Sequence, residues 1–223
     1  NQHLGDLKSV HKDLKGTPRV TIVEAAPRII PRSSNTAAKI VGRRLKRLGV
    51  SVLTNHKVEG LTGDSITIDG KKVPTKTAIW TSGVANHPFY IAHADHFKLA
   101  PNNHVIVDEY LRSHKNVYVI GDNNTVKFGG MAWPALAQGA FVADHILRII
   151  TKRRVKAFRP SQPPSGLPVG DHWGYVEWHG IYVAGRTGAW VRRLMELYGY
   201  TQLVPYRRAL LAWKAHDIPQ VDR

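Results

Sequence analysis

The stretch Asn116 to Asp122, NVYVIGD, constrains this chain more than any other. Val117 to Ile120 form an unbroken apolar run, mostly β-branched, closed by Gly121 and Asp122. Such a run predicts a parallel strand covered on both faces, since a strand with one wet face would alternate. Gly129-Gly130 and a long apolar helix from about Ala132 to Ile150 follow at once. A strand that ends in Gly-Asp and feeds a helix N-terminus sets a carboxylate beside unpaired N–H groups, which suits a polar ligand. Gly121 lets the backbone come close, and Asp122 offers an acceptor for hydroxyls where open α/β sheets bind ligands. The alternative is a strand closing in an ordinary Gly-Asp turn.

The chain has 223 residues, 43% of them hydrophobic, enough for one large or two small globular domains. It has no Cys, which removes disulfide frameworks, thiol redox catalysis and Cys-ligated zinc from these residues. No run of about 18 apolar residues is present, and Asn1 to Lys8 contain no apolar signal core. The formal charge of +16 attracts polyanions, and half of it falls between Arg148 and Arg223. His87, His93 and His96 fit no compact ligand set, so no metal site is expected.

Leu4, Leu7, Val10 and Leu14 stand at helical spacing, in a chain whose first residue is not Met; this start suggests a fragment. Arg19 to Glu24, RVTIVE, reads as a strand ending in an acid. In dinucleotide-binding folds an acid there accepts from the adenosine ribose hydroxyls and disfavours a 2′-phosphate. The other reading of Glu24 is a solvated acid at a strand end, because no Gly-rich turn precedes it. Ser33, Ser34 and Asn35 are N-cap candidates for a helix over Thr36 to Leu48, with Ile40, Val41, Leu45 and Leu48 inward, stopped by Gly49. Val50 to Leu53, Lys57 to Leu61, Ser65 to Ile68 and Thr77 to Trp80 read as short strands around Gly63-Asp64 and Asp69-Gly70 turns. Thr81-Ser82-Gly83-Val84 then follows what reads as a buried strand, with Gly83 free to approach a ligand.

VTIVEAAPRIIP, RLKRLGVSVLTN, VPTKTAIWTSGV, NVYVIGD and the helix containing Ala137-Gln138-Gly139 occur in an order and spacing that resembles type II NADH dehydrogenases. These are FAD-dependent NADH:quinone oxidoreductases of the two-dinucleotide-binding-domain flavoprotein superfamily, and the resemblance covers about Arg19 to Ile150. It implies an α/β fold: residues 1–84 as the C-terminal part of the NADH-binding domain, 85–158 as part of the FAD-binding domain, and 159–223 as a C-terminal amphipathic α/β anchor. It implies FAD as cofactor, NADH as substrate and a quinone as acceptor. Glu24 then holds the NADH ribose, Gly83 lies where the chain returns to the flavin domain, and Gly121 and Asp122 hold the ribityl and pyrophosphate region. The helix entry at Ala132 and Trp133 faces the flavin pyrimidine carbonyl, its positive end stabilising the reduced ring.

Two departures qualify the resemblance. The family commonly carries a Gln near the flavin at the position of Trp133 and a second at that of Ala137; here only Gln138 remains, so Trp133 and Gln138 are the candidates to meet quinone. Neither Gly-rich phosphate-binding turn is present, so the chain is expected to be the C-terminal half of a longer flavoprotein and to need its N-terminal part.

Arg159 to Gly170, RPSQPPSGLPVG, reads as a semi-rigid linker. Trp173 to Trp178 and Ile181 to Ala184 read as a hairpin around His179-Gly180. Ala189 to Tyr198 is amphipathic, with Trp190, Val191, Leu194, Met195, Leu197 and Tyr198 opposite Arg192, Arg193 and Glu196. A further helix after Pro205 sets Tyr206, Ala209, Leu210 and Trp213 beside Arg207, Arg208 and Lys214. Aromatic and basic residues on such helices suit an in-plane anchor on an anionic membrane surface, and the resemblance points the same way. Helices packed on the flavin domain are the other reading. The expected protein is peripheral, on the cytoplasmic face of the cell membrane, with a homodimer possible. The competing class is a basic, non-catalytic module that binds nucleic acid or anionic membrane.

Overall fold

The computed structural model describes residues 19–83 and 85–215. The helical spacing of Leu4 to Leu14 lies outside the described residues, as does Val84. Two compact units divide the chain. One holds the described residues up to Trp80 together with Pro164–Tyr198; the other holds Thr81–Pro163 with the described residues from Gly199 onward. The described residues of the segment expected as a C-terminal unit, 159–215, fall partly in each of the two.

In the first unit β1 (Thr21–Glu24) pairs in parallel with β2 (Ser51–Thr54), Ile22 opposite Val52, through the crossover helix α1 (Asn35–Arg47). Ser34 caps α1: its hydroxyl oxygen accepts from the Ala37 N–H at 3.0 Å, filling one of the helix's orphan donors. Ala37, Ala38 and Val41 are buried, so the small alanines that the hydrophobic pattern passes over line the contact.

Next, β3 (Val58–Leu61), β4 (Ser65–Ile68) and β5 (Lys71–Pro74) form an antiparallel meander. Thr77 to Trp80, expected as its last strand, is irregular, with Trp80 66% exposed. The two-residue Asp69-Gly70 turn folds Lys71–Pro74 directly back onto β4, so these residues, not Thr77 to Trp80, supply the third strand.

The expected linker also contributes structure. Within it, β8 (Ser165–Pro168) pairs with β9 (Gly174–Trp178), which pairs through the His179-Gly180 turn with β10 (Ile181–Gly185). Pro168 sits at the strand's end on an edge, where its missing N–H is tolerated. This sheet joins α1 through polar and apolar contacts. The Ser34 hydroxyl donates to Glu177 at 2.6 Å, the buried Tyr175 hydroxyl donates to the same carboxylate at 2.9 Å, and Arg44 lies 5.7 Å over the Trp173 ring. Ile29, Ala37, Ala38, Val41, Val169 and Tyr175 form the common core.

Helix α4 (Arg186–Thr201) crosses β9 at two glycines: a Cβ on Gly188 would run into the Gly174 carbonyl, so the two backbones touch. That contact turns α4 in a sense its pattern does not announce. Trp190 and Leu194 are 65% and 55% exposed, whereas the Arg192 and Arg193 side chains are mostly covered and paired with Glu196.

The second unit contains α2 (Pro88–Ala92), an antiparallel hairpin of β6 (Arg112–His114) and β7 (Val117–Tyr118), a 3-10 turn at Gly121–Asn123, α3 (Ala132–Ile150) and α5 (Tyr206–Ala215). Here the parallel strand expected over Val117 to Ile120 is corrected. Only two residues are strand, they run antiparallel to their neighbour, and Val117 and Ile120 are exposed. The physical reason is local: Asn116, in the left-handed region at φ 66, turns the chain so that β7 meets the segment just before it. Val119 alone of the run is buried, as are Val105 and Leu111 in the same unit.

Candidate functional site

The second unit holds a cleft of about 490 Å³ between the Ile120–Asn123 turn and the helix entry at Gly130 to Ala132, with Ala135 at its base. The hairpin delivers the chain to Gly121, whose φ of +70 is left-handed and favours glycine. Asp122 follows in the 3-10 turn, exposed, with one carboxylate oxygen accepting from the Gly130 N–H at 2.8 Å. That bond ties the turn to the loop before α3. Met131 is the N-cap of α3 and makes no side-chain capping bond, so the positive end of a 19-residue helix opens on the cleft.

Behind the turn lies a buried polar cluster. Asn124, 3% exposed, donates through Nδ2 to the Val119 carbonyl at 2.9 Å and to Gln138 Oε1 at 2.7 Å, and accepts from the Val126 N–H at 2.9 Å. The same Gln138 Oε1 accepts from the Gly121 N–H at 2.8 Å. Gln138 is fully buried and takes no part in the cleft wall. This corrects the sequence expectation that it meets an acceptor: i+6 from Ala132 on α3, it points into the protein and holds the Gly121 turn. Trp133 is half-buried and also outside the cleft lining.

The structure thus brings Gly121, Asp122 and Ala132 to one cleft. Sequence reading missed Asn124, which is buried within a polar segment otherwise exposed or half-buried and carries no signal of its own, and the service of Gly130 as a donor.

Glu24 lies in the first unit, half-buried at the C-terminal end of β1, with Oε1 accepting from the Ala26 N–H at 2.8 Å. A larger cleft of about 700 Å³ flanks α1 and β2; its wall includes Ala38, Val50 and Val52 and its rim Lys39 and Lys46, but no carboxylate, and Glu24 does not line it. Its size does not make it the chemical site. Gly83 is exposed at φ +127 with nothing within 4 Å of where a Cβ would stand, so its conformation, not a close contact, calls for glycine.

Among the described residues no three His, Cys, Asp or Glu side chains gather as a metal site. His87 instead caps α2, accepting from the Phe89 N–H at 3.2 Å.

A parallel βα crossover ending in an acid and a Gly-Asp turn at a helix entry occur together, and residues 5–142 match the pyridine nucleotide-disulphide oxidoreductase family. The chain belongs to the pyridine nucleotide-disulphide oxidoreductases. Within that family it is 30% identical over 148 residues to the type II NADH:quinone oxidoreductase NdhA of Mycobacterium tuberculosis, a match covering 62% of this chain and 31% of that protein. It is 24% identical over 196 residues to the type II NADH:quinone oxidoreductase of Staphylococcus aureus, covering 80% of this chain and 47% of that one. The chain therefore spans about a third to a half of the length of these relatives. In structure it is similar to NDH2 of Plasmodium falciparum in complex with NADH, with a TM-score of 0.72 and 16% identity over 94% of this chain and 59% of that one. That likeness shows that the two chains share a fold.

Proposed function

We propose that this chain forms part of an FAD-dependent oxidoreductase that passes electrons from NADH to a quinone-type acceptor. The observation that carries the reading is the cleft where the Asp122 carboxylate and the entry of α3 face the same space, in a chain of this family. The donor and acceptor set fits a dinucleotide: a carboxylate for hydroxyls, and a helix N-terminus for an electron-rich carbonyl. Gly121 and Asp122 would hold the ribityl and pyrophosphate region and Ala132 would face the flavin ring, with Trp133 beside it on α3 at the margin of the cleft. FAD, when bound, supplies a two-electron acceptor for the hydride of NADH. The positive end of α3 favours the negative charge that reduction leaves there. Glu24 would accept from the NADH ribose hydroxyls, with Gly83 in the return towards the flavin domain. Trp133 remains the candidate for the quinone side.

The names of the two curated relatives and the NADH bound in the Plasmodium structure support this choice of donor and acceptor. The test uses protein made from the complete coding sequence. Purified yellow protein whose flavin absorbance bleaches under NADH and returns with a quinone supports the reading. Colourless protein, or flavin that NADH leaves oxidised, overturns it.

Peripheral docking on an anionic membrane is part of the same proposal. Among the described residues no helix is long and apolar enough to cross a membrane. On α4 the exposed face carries Trp190, Leu194 and Tyr198; on α5 Tyr206 and Leu211 are exposed beside Arg207 and Arg208. Arg192 and Arg193 are committed to Glu196, so the basic contribution falls to Arg207 and Arg208, each about 1 kcal/mol near a negative surface. Co-sedimentation with anionic vesicles at low salt is expected, weaker but not abolished at high salt. Protein that stays in the supernatant at low salt removes the docking step.

A further inference from the structure

We propose that Gln138 is a positioning residue of the Asp122 cleft, acting through Gly121 and Asn124 without touching the ligand. The inference rests on the reading of that cleft as the flavin site. One fully buried oxygen, Gln138 Oε1, accepts two N–H groups: the Gly121 backbone at 2.8 Å and the Asn124 side chain at 2.7 Å. Asn124 carries the connection on, donating to Val119 and accepting from Val126. Gly121 and, through Asn124, Val119 and Val126 are thereby tied to the middle of α3 by one side chain, while the Val105 backbone holds Asn123 and Thr125.

The far end of that turn is held by backbone, the Asn123 carbonyl accepting from the Val105 N–H at 2.8 Å, and Gln138 holds its near end at Gly121. Ile120 and Asp122 are exposed, Asp122 accepts from the Gly130 N–H, and Gly121 packs with a nearest approach of 3.8 Å from where its Cβ would stand to Ala135. Gly121, left-handed and without a side chain, has no rotamer of its own to anchor it. A buried acceptor that takes two donors holds them in one geometry, and its loss leaves both without a partner in a place water does not reach. The other end of the side chain does no such work: Gln138 Nε2 finds no hydrogen-bond partner among the described residues. The role therefore belongs to the oxygen, which a glutamate retains and a leucine does not.

The experiment uses the protein from its complete coding sequence, stripped of FAD and titrated with it, Kd being read from flavin fluorescence and the Tm of the FAD-free form recorded alongside. Gln138→Leu is expected to raise Kd roughly tenfold or more, as for buried donors left unpaired. Gln138→Glu is expected to restore it to within about threefold of the parent. Hydrogen exchange at the Gly121 amide should be slow in the parent and in Gln138→Glu and fast in Gln138→Leu. Parent protein that takes no FAD overturns the flavin reading, and the inference falls with it. Parent protein that binds FAD while Gln138→Leu binds it equally overturns the inference alone. Equal weakening by Leu and Glu assigns the effect to Nε2 and likewise overturns it. If Gln138→Leu does not fold, Asn124→Ala decides, since it removes one of the two donors: weaker FAD binding supports the role and unchanged binding overturns it.

Discussion

Each unit carries a carboxylate at or just after a strand that accepts one backbone N–H at 2.8 Å, yet among the described residues only Asp122 of the two lines a cleft. Glu24 bonds to Ala26, two residues on, and closes a local turn. Asp122 bonds to Gly130, eight residues on, so its bond joins the turn after β7 to the loop before α3 beside a cleft. A strand-end acid becomes a ligand-binding group when a second element supplies opposing donors. For Asp122 that element lies in the described residues. For Glu24 no Gly-rich turn is found among them.

The comparison can be broken first at Asp122. Asp122→Ala removes a charged acceptor from an exposed position without touching the core, so the variant should fold and lose FAD affinity by on the order of 3 kcal/mol, a hundredfold or more in Kd. Full flavin stoichiometry after dialysis would reduce Asp122 to the turn residue that Glu24 resembles in isolation. A smaller effect is expected at Glu24. Glu24→Gln removes the charge that repels a 2′-phosphate and should narrow the preference for NADH over NADPH by about 1–2 kcal/mol, read as the ratio of kcat/KM values. Equal kcat/KM for both cofactors in the parent would strip Glu24 of that role.

The smallest expected effect sharpens the comparison through pH. In the meander, the Lys57 backbone N–H and then His56 hold the Asp69 carboxyl below its ordinary value. Before β6, burial alone would raise the Asp108 carboxyl, but the Arg112 backbone N–H and guanidinium and the Tyr110 N–H outweigh it and hold it low. A carboxyl lower when folded contributes stability above its unfolded value of about 3.9 and loses it as pH falls through the folded one. Acidification should therefore loosen both turns, and Asp108→Asn should lower Tm at neutral pH while flattening its acid limb. Because β6 and β7 deliver the chain to Gly121, Asp108→Asn should also weaken FAD retention slightly, whereas Asp69→Asn should leave it unchanged. Loss of flavin in both variants alike would erase the distinction between the units.

Much of the local structure was legible in the residues. The Ser34 cap, the Asp69-Gly70 and His179-Gly180 turns, the strand ending at Glu24 and the helix Ala132–Ile150 stand where caps, turn chemistry and periodicity place them. These features depend on sterics and hydrogen bonds within a few residues, which the sequence states directly. The pairing of Val117–Tyr118, the recruitment of Ser165–Pro168 into a sheet, the inward turn of Arg192 and Arg193, and the two donors on Gln138 were decided only by the tertiary structure. An apolar run says that a strand wants cover but not which edge it will find, and a buried amide says that it needs partners but not whose. Those answers depend on groups brought together from distant positions, such as Gly174 against Gly188 and Gly121 against Gln138, and become fixed only when the backbones meet.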